Sequence, residues 1–212
     1  MDEGQTALPK RRGDFRDTIL EAARRIIDER GLQAATTRNI AELAGCAEGT
    51  IYRHFEDKHR LFLELFAGSD PEFLELIAIL PAQAGARPVR ETLDRVGLAA
   101  LRFYRAVVPF VGGAIVDPEL REAQRTHFNR EGHGPTYTFV QLERYIDAER
   151  ELGRLGPSGS SAGATRALLG AAFGRAWLDV WLGAELMAKE GSDKDYMSRV
   201  VDTVLDGLQP QE

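Results

Sequence analysis

Apolar residues recur every three to four positions along most of this chain, and that regularity limits the fold more than any other feature. Phe15, Ile19, Ala22, Ala23, Ile26 and Ile27 mark one face of a first helix, which Gly31 stops. Leu61, Phe62, Leu65 and Phe66 repeat the pattern, and longer segments predict helices over roughly 89–108, 117–130, 135–152, 162–189 and 194–208. No segment alternates as a strand would. Asp70-Pro71 reads as a fresh helix start or a kink, and Asp117-Pro118 as another start. "PAQAGARP" from about residue 81 is a loop, and "GRLGPSGSSAG" (153–163) is the clearest flexible connection. Pro109, with Gly112 and Gly113, should bend or end the helix that contains it. The expected fold is all-α, with a basic flexible arm (1–13), a compact three-helix head (14–60) and a larger helical body (61–212).

A chain of 212 residues, 43% hydrophobic and 28% charged, has the make-up of an ordinary globular protein with a substantial core. "AVVPFVGGAIV", its longest nearly uncharged apolar run, falls far short of the roughly 20 residues that span a bilayer, so no membrane partner is expected. The opening "MDEGQTALPKRRGD" lacks the apolar core of a secretory signal. The single cysteine, Cys46, excludes an internal disulfide framework and fits a reducing cytoplasm. The net charge of −6 is uneven. Lys10 to Arg60 holds 11 Lys and Arg against 9 Asp and Glu, whereas the remainder from Leu61 is acidic. That balance permits nucleic-acid binding by the N-terminal part alone.

The stretch "TTRNIAELAGCAEGTIYRHFEDKHRLF" (36–62) carries the most chemistry. Thr36 reads as an N-cap with Asn39 at the third helical position, and a short helix runs to Ala44. Gly45 makes a tight turn, and a second short helix spans about Ala47 to Phe55. Its apolar side is Ile51 and Phe55; its other side presents Glu48, Gly49, Thr50, Tyr52, Arg53 and His54. Two short helices around a glycine turn form a helix-turn-helix, in which the first braces the second against the DNA major groove. Asp57 should cap the helix that follows.

With T-x-x-x-I-A-x-x-A-G, then G-T-x-Y-x-x-F and a Lys three residues on, residues 15–66 resemble the DNA-binding segment of the tetracycline-repressor (TetR) family of bacterial transcription regulators. The resemblance implies a DNA-binding site made of Thr37, Arg38, Glu48, Gly49, Thr50, Tyr52, Arg53, His54 and Lys58. Thr37 would hold a phosphate, and Arg38 would reach a guanine edge. Thr50, Tyr52 and His54 would contact phosphates, Gly49 would allow close approach, and Lys58 would grip a phosphate. Arg53 faces the groove as the main base reader, while Glu48 either accepts from a cytosine amino group or caps the helix. Cys46, where the family more often has an aliphatic residue, reads as a small hydrophobe. In the arm, Arg11, Arg12 or Arg16 are placed to touch phosphate or an adjacent minor groove.

One short recognition helix gives little affinity, so such heads work in pairs about 34–36 Å apart. The resemblance assigns homodimerisation to the last two helices, "AGATRALLGAAFGRAWLDVWLGAELMA" (162–188) and "DYMSRVVDTVLDGL" (195–208), where Gly170 and Gly174 permit close approach. It also implies a cavity in the body for an unknown small-molecule effector, apolar or amphipathic. Phe103, Tyr104, Phe110, Phe128, Tyr137, Phe139, Trp177 and Trp181 are the candidate lining, and Arg102, Arg105, Arg175 or Asp179 could orient the effector. The implied function is a cytoplasmic transcription regulator, usually a repressor released from a palindromic operator; a member acting without ligand or as an activator is the alternative. No enzymatic motif is present, and His127 and His133 in "HFNREGH" read as a surface loop, with no metal or cofactor expected. A helical adaptor binding DNA without sequence choice fits poorly with the acidic body.

Overall fold

The computed structural model describes residues 14–67, 71–131 and 134–208, all of them helix, turn or loop. Tertiary contacts divide the chain into two compact units, a head (Met1–Leu65) and a body (Phe66–Glu212).

In the head, α1 (Asp14–Arg30) ends at Gly31, whose φ of 82° is left-handed, and a 3-10 turn (Leu32–Ala34) leads into α2 (Thr37–Ala44). The Thr36 hydroxyl accepts from the Asn39 amide at 3.2 Å, as the cap motif predicts. Gly45, at φ 67°, closes α2 by donating its N–H back to Ala41 and Glu42. After this turn α3 (Glu48–His54) runs to Phe55, and Asp57 accepts from the Arg60 amide at 2.7 Å to start α4 (Lys58–Ala67). Ile19, Ala23, Ile26, Ile40, Ile51 and Leu61 are fully buried between these helices, with Phe55 at 2% exposure. Only seven residues long and without a side-chain cap, α3 could not persist in isolation. Burying Ile51 and Phe55, each worth ~1.5–3 kcal/mol, holds it in place.

The body contains α5 (Pro71–Ile79), a 3-10 turn (Leu80–Gln83), α6 (Val89–Val116), α7 (Pro118–Glu131), α8 (Pro135–Glu151), α9 (Ser161–Leu182), the single turn α10 (Ala184–Met187) and α11 (Asp193–Asp206). α6 and α9 form the central pair, with α11 packed on both and α8 packed on α9. α6 has the length and hydropathy of a membrane-crossing helix, but its Leu93, Val96, Ala99, Ala100, Leu101 and Val107 are buried in this core.

Three expectations change. Pro109 does not end its helix, which continues to Val116. The one lost amide bond costs ~3 kcal/mol, and burial of Val107, Val108, Phe110 and Ala114 around it offsets that cost. The predicted helix 162–189 instead breaks at Gly183, at φ 92°, where the chain leaves the core and turns into α10. The loop after α8 is not free. Arg150 donates to the carbonyls of Gly156 (3.0 Å) and Gly159 (3.2 Å), and the Gly156 amide donates to the Leu208 carbonyl at 2.8 Å.

Candidate nucleic-acid interface

The polar side of α3 lies opposite its anchor. Glu48, Gly49, Tyr52 (53% exposed) and Arg53 face solvent, while Thr50 and His54 are half-buried. Gly49 and Arg53 are one helical turn apart, as are Glu48 and Tyr52, so two adjacent rows share the outer surface. A Cβ built at Gly49 would meet no atom within 4 Å, so nothing in the chain itself requires glycine there.

At the start of α2, Arg38 is exposed and Thr37 half-buried. The Thr37 hydroxyl donates to the Glu48 carboxylate, joining the first residues of α2 and α3 across the turn. A hydroxyl has one proton to give, so in this arrangement the backbone N–H groups at the start of α2 are left to meet a phosphate. Lys58, half-buried at the start of α4, holds its ammonium 5.1 Å from the centre of the Phe62 ring. Arg16 belongs to α1 rather than to an arm. It pairs with Glu64 and lies 5.3 Å from the Phe55 ring centre, while Arg11 and Arg12 fall outside the described residues. Cys46 is half-buried, and burial pushes its thiol pKa up, away from the reactive thiolate.

The body aromatics form a ring-to-ring string. Phe73 stands 5.1 Å from Phe103, Phe103 5.6 Å from Tyr104, Tyr104 5.5 Å from Phe173, and Phe173 6.3 Å from Trp177. Burial pushes the Tyr104 phenol up to about 12. Phe110 is buried, Phe128 and Tyr137 are half-buried, and Phe139 sits under the Arg166 guanidinium at 5.7 Å. Trp181 departs from the expectation of an internal lining residue. It is 71% exposed beside Val180 and Leu182, because α9 has passed its last core turn at Asp179. Two hollows on the body are lined by other residues than these aromatics. One of about 320 Å³ lies along α11 at Tyr196, Arg199, Val200 and Thr203. The other, about 560 Å³, lies between the starts of α6 and the α8–α9 loop, at Val89, Arg90, Arg154, Leu155, Leu205 and Leu208.

A charged network inside the body joins residues that are mostly far apart along the chain. Arg105 on α6 donates from Nε to Asp179 at 2.7 Å and from both terminal nitrogens to Asp193, and Arg175 donates to Asp179 at 3.2 Å. Arg105 holds the Asp193 carboxyl below its ordinary range. Arg102, by contrast, pairs with Glu72 at 2.9 Å on the surface. Only the Arg175–Asp179 pair, four apart on α9, has a spacing readable in sequence. His127 packs 5.9 Å from the Phe128 ring centre, and His133 lies outside the described residues.

Residues 19–65, the span from α1 through most of α4, match the family described as bacterial regulatory proteins, tetR family. AcnR, an HTH-type transcriptional repressor of Corynebacterium diphtheriae, is 41% identical over 63 residues, which are 30% of this chain and 33% of AcnR. The match therefore spans about a third of that curated relative's length. NalD, the secondary repressor of the MexAB-OprM efflux pump in Pseudomonas aeruginosa, is similar over 95% of this chain and 100% of its own, with a TM-score of 0.68 at 21% identity. FadR from Bacillus subtilis, solved with stearoyl-CoA, covers 91% of this chain and 99% of its own with a TM-score of 0.64 at 18% identity. At such identities the likeness is one of fold, and it extends through the body. Residues 19–65 of this chain thus carry a domain similar to that of the bacterial regulatory proteins, tetR family.

Proposed function

We propose that this chain is a cytoplasmic, homodimeric transcription regulator that binds a palindromic operator through α3 and acts as a repressor relieved by a small apolar or amphipathic effector. The observation that carries it is the division of α3, with Ile51 and Phe55 buried while Tyr52 and Arg53 stand in solvent. A seven-residue helix with its polar row outward and its apolar row clamped is built to enter a groove rather than to complete a core. Arg38 and Arg53 are the base readers; Thr50, Tyr52, His54, Lys58 and the backbone at Thr37 and Gly49 position the duplex. AcnR and NalD, both described as repressors, support that direction of regulation.

The dimer contact in this reading is the outer face of α9 and α11. Gly170 and Gly174 have open space where a Cβ would stand, and Val180, Trp181 and Leu182 leave an exposed apolar end on α9. The effector enters near the string from Phe103 to Trp177 by parting rings that are packed in this state. FadR, whose structure holds stearoyl-CoA, supports a long apolar ligand class. Its binding shifts the dimer toward mis-spaced recognition helices, with a coupling of ~1–3 kcal/mol.

The test is fluorescence anisotropy on labelled duplexes carrying sites selected from random DNA, at ~150 mM salt. A site-specific dimer prefers its palindrome over random DNA by ~10³ or more. Equal binding to both would favour a non-specific adaptor, and no binding to either would end the reading.

A further inference from the structure

We infer that Thr37 and Glu48 act as one unit that makes α3 select cytosine at one position of each half-site. Glu48 meets the base and Thr37 positions it. This rests on the DNA-binding function proposed above and names part of its specificity.

Glu48 is the only acidic residue on α3, exposed in its first turn on the surface assigned to a polyanion. Among the described residues it forms no ion pair, and its hydrogen-bond partner is the Thr37 hydroxyl. An unneutralised carboxylate facing a duplex weakens binding to every sequence unless it finds a donor there. Phosphates and sugar ring oxygens offer only acceptors, so the donor must come from a base edge. In the major groove those donors are the exocyclic amino groups of cytosine and adenine. Thr37 donates to Oε1, which leaves Oε2 as the oxygen free to accept from outside. A single accepting oxygen fits the cytosine edge, which presents its N4 amino group alone. Adenine sets its N7 acceptor beside the N6 amino group, and that lone pair repels a carboxylate.

The tie to Thr37 solves a second problem. A free glutamate has three rotatable bonds, and fixing them on binding costs up to ~2 kcal/mol. Thr37 opens α2, whose cap is the neighbouring Thr36. The Thr37 hydroxyl is therefore available to hold Glu48 without unmaking the helix start. With its proton committed to Glu48, that hydroxyl reaches the DNA through the carboxylate and not as a phosphate donor.

The experiment selects sites from a random-sequence duplex library with the full-length wild type and with Glu48→Gln, Glu48→Ala, Thr37→Val and Thr37→Ser. Helicity and thermal unfolding are checked for each. Wild type is expected to select cytosine at one position per half-site, and replacing it should weaken binding by about ten- to a hundredfold. Glu48→Ala should lose that preference alone, Glu48→Gln should move it toward adenine, Thr37→Val should blur it, and Thr37→Ser should keep it. If Glu48→Ala instead tightens binding to all sequences with unchanged preferences, Glu48 is a repulsive charge and the inference is overturned. If Thr37→Val selects as sharply as wild type, the positioning role is overturned while base reading by Glu48 stands. A wild type that selects no sequence overturns the sequence-specific function proposed above, a result separate from either.

Discussion

Replacing Gly49 by alanine separates what the fold needs from what DNA binding needs. A Cβ at this position meets nothing within 4 Å, and the residue lies inside α3, so the chain gains without a clash. Alanine is favoured over glycine in a helix by ~0.8–1.0 kcal/mol. Near the start of so short a helix a gain of ~0.5–1 kcal/mol is realistic, and it raises the melting temperature by roughly 2 °C. On DNA the sign reverses. If the start of α3 lies against the sugar-phosphate backbone, the added methyl over-packs that contact at a cost of ~1–3 kcal/mol per half-site, which is about tenfold or more in affinity. Thermal unfolding and anisotropy on the selected operator measure the two effects in one preparation. A variant that is more stable and binds as wild type does would refute close approach at Gly49. A less stable variant would refute the view that the space there is empty.

The glycines on the outer face of α9 invite the same treatment. Gly170→Leu with Gly174→Leu should leave protomer helicity intact, because both Cβ positions are open, yet shift sedimentation to a monomer; a persisting dimer would place the interface elsewhere. Arg53→Ala should change which operator bases are preferred, whereas Lys58→Ala should weaken all DNA alike and lower the slope of log affinity against log salt by about one. Equal effects of the two on preference would contradict their assigned roles. Burial pushes the phenols of Tyr104 and Tyr145 up to about 12. Folding therefore favours their neutral forms, and the stability they contribute is full below the ordinary tyrosine range near 10. It should be lost as pH climbs through about 12, with phenolate absorbance rising together with loss of helicity. Phenolate absorbance that rises near pH 10 while helicity is retained would show that the rings are not sealed in the core.

The head was legible because its instructions are local. Thr36 and Asp57 announce helix starts, Gly45 supplies a left-handed turn, and Ile51 and Phe55 are four residues apart on one face. The body was legible only in outline. Whether Pro109 ends a helix is decided by the burial of its neighbours Val107, Val108 and Phe110 in the folded body, which the local sequence does not show. Gly183 looks no different from Gly170 or Gly174 in the one-letter string, yet it alone adopts a positive φ. The two-residue links that give the head and body their electrostatics were also invisible. Thr37 and Glu48 are 11 apart, and Arg105 and Asp193 are 88 apart. Pairing at such separations is set by the fold, and no spacing rule reaches it. Trp181 shows the converse error, since an aromatic at the end of a core helix reads like lining until the helix is seen to leave the core.

The shortness of α3 has a consequence for how specificity and stability are divided. A helix of seven residues contributes almost nothing to its own persistence. Its conformation belongs to Ile51, Phe55 and the core of Ile19, Ile26 and Ile40 on which they rest. Glu48, Gly49, Tyr52 and Arg53 bear little of that load, so under the proposed function substitutions among them should alter recognition at small thermodynamic cost to the head. A longer recognition helix would carry its own propensity, and every outward residue would then matter to both properties. The arrangement predicts an asymmetry in any mutational series across 48–54. Changes at Ile51 should abolish binding by unfolding the head, whereas changes at Arg53 should redirect binding in a head that melts as before. Were Arg53→Ala to lower the unfolding midpoint as much as Ile51→Ala, that division would be wrong and both faces of α3 would belong to the core.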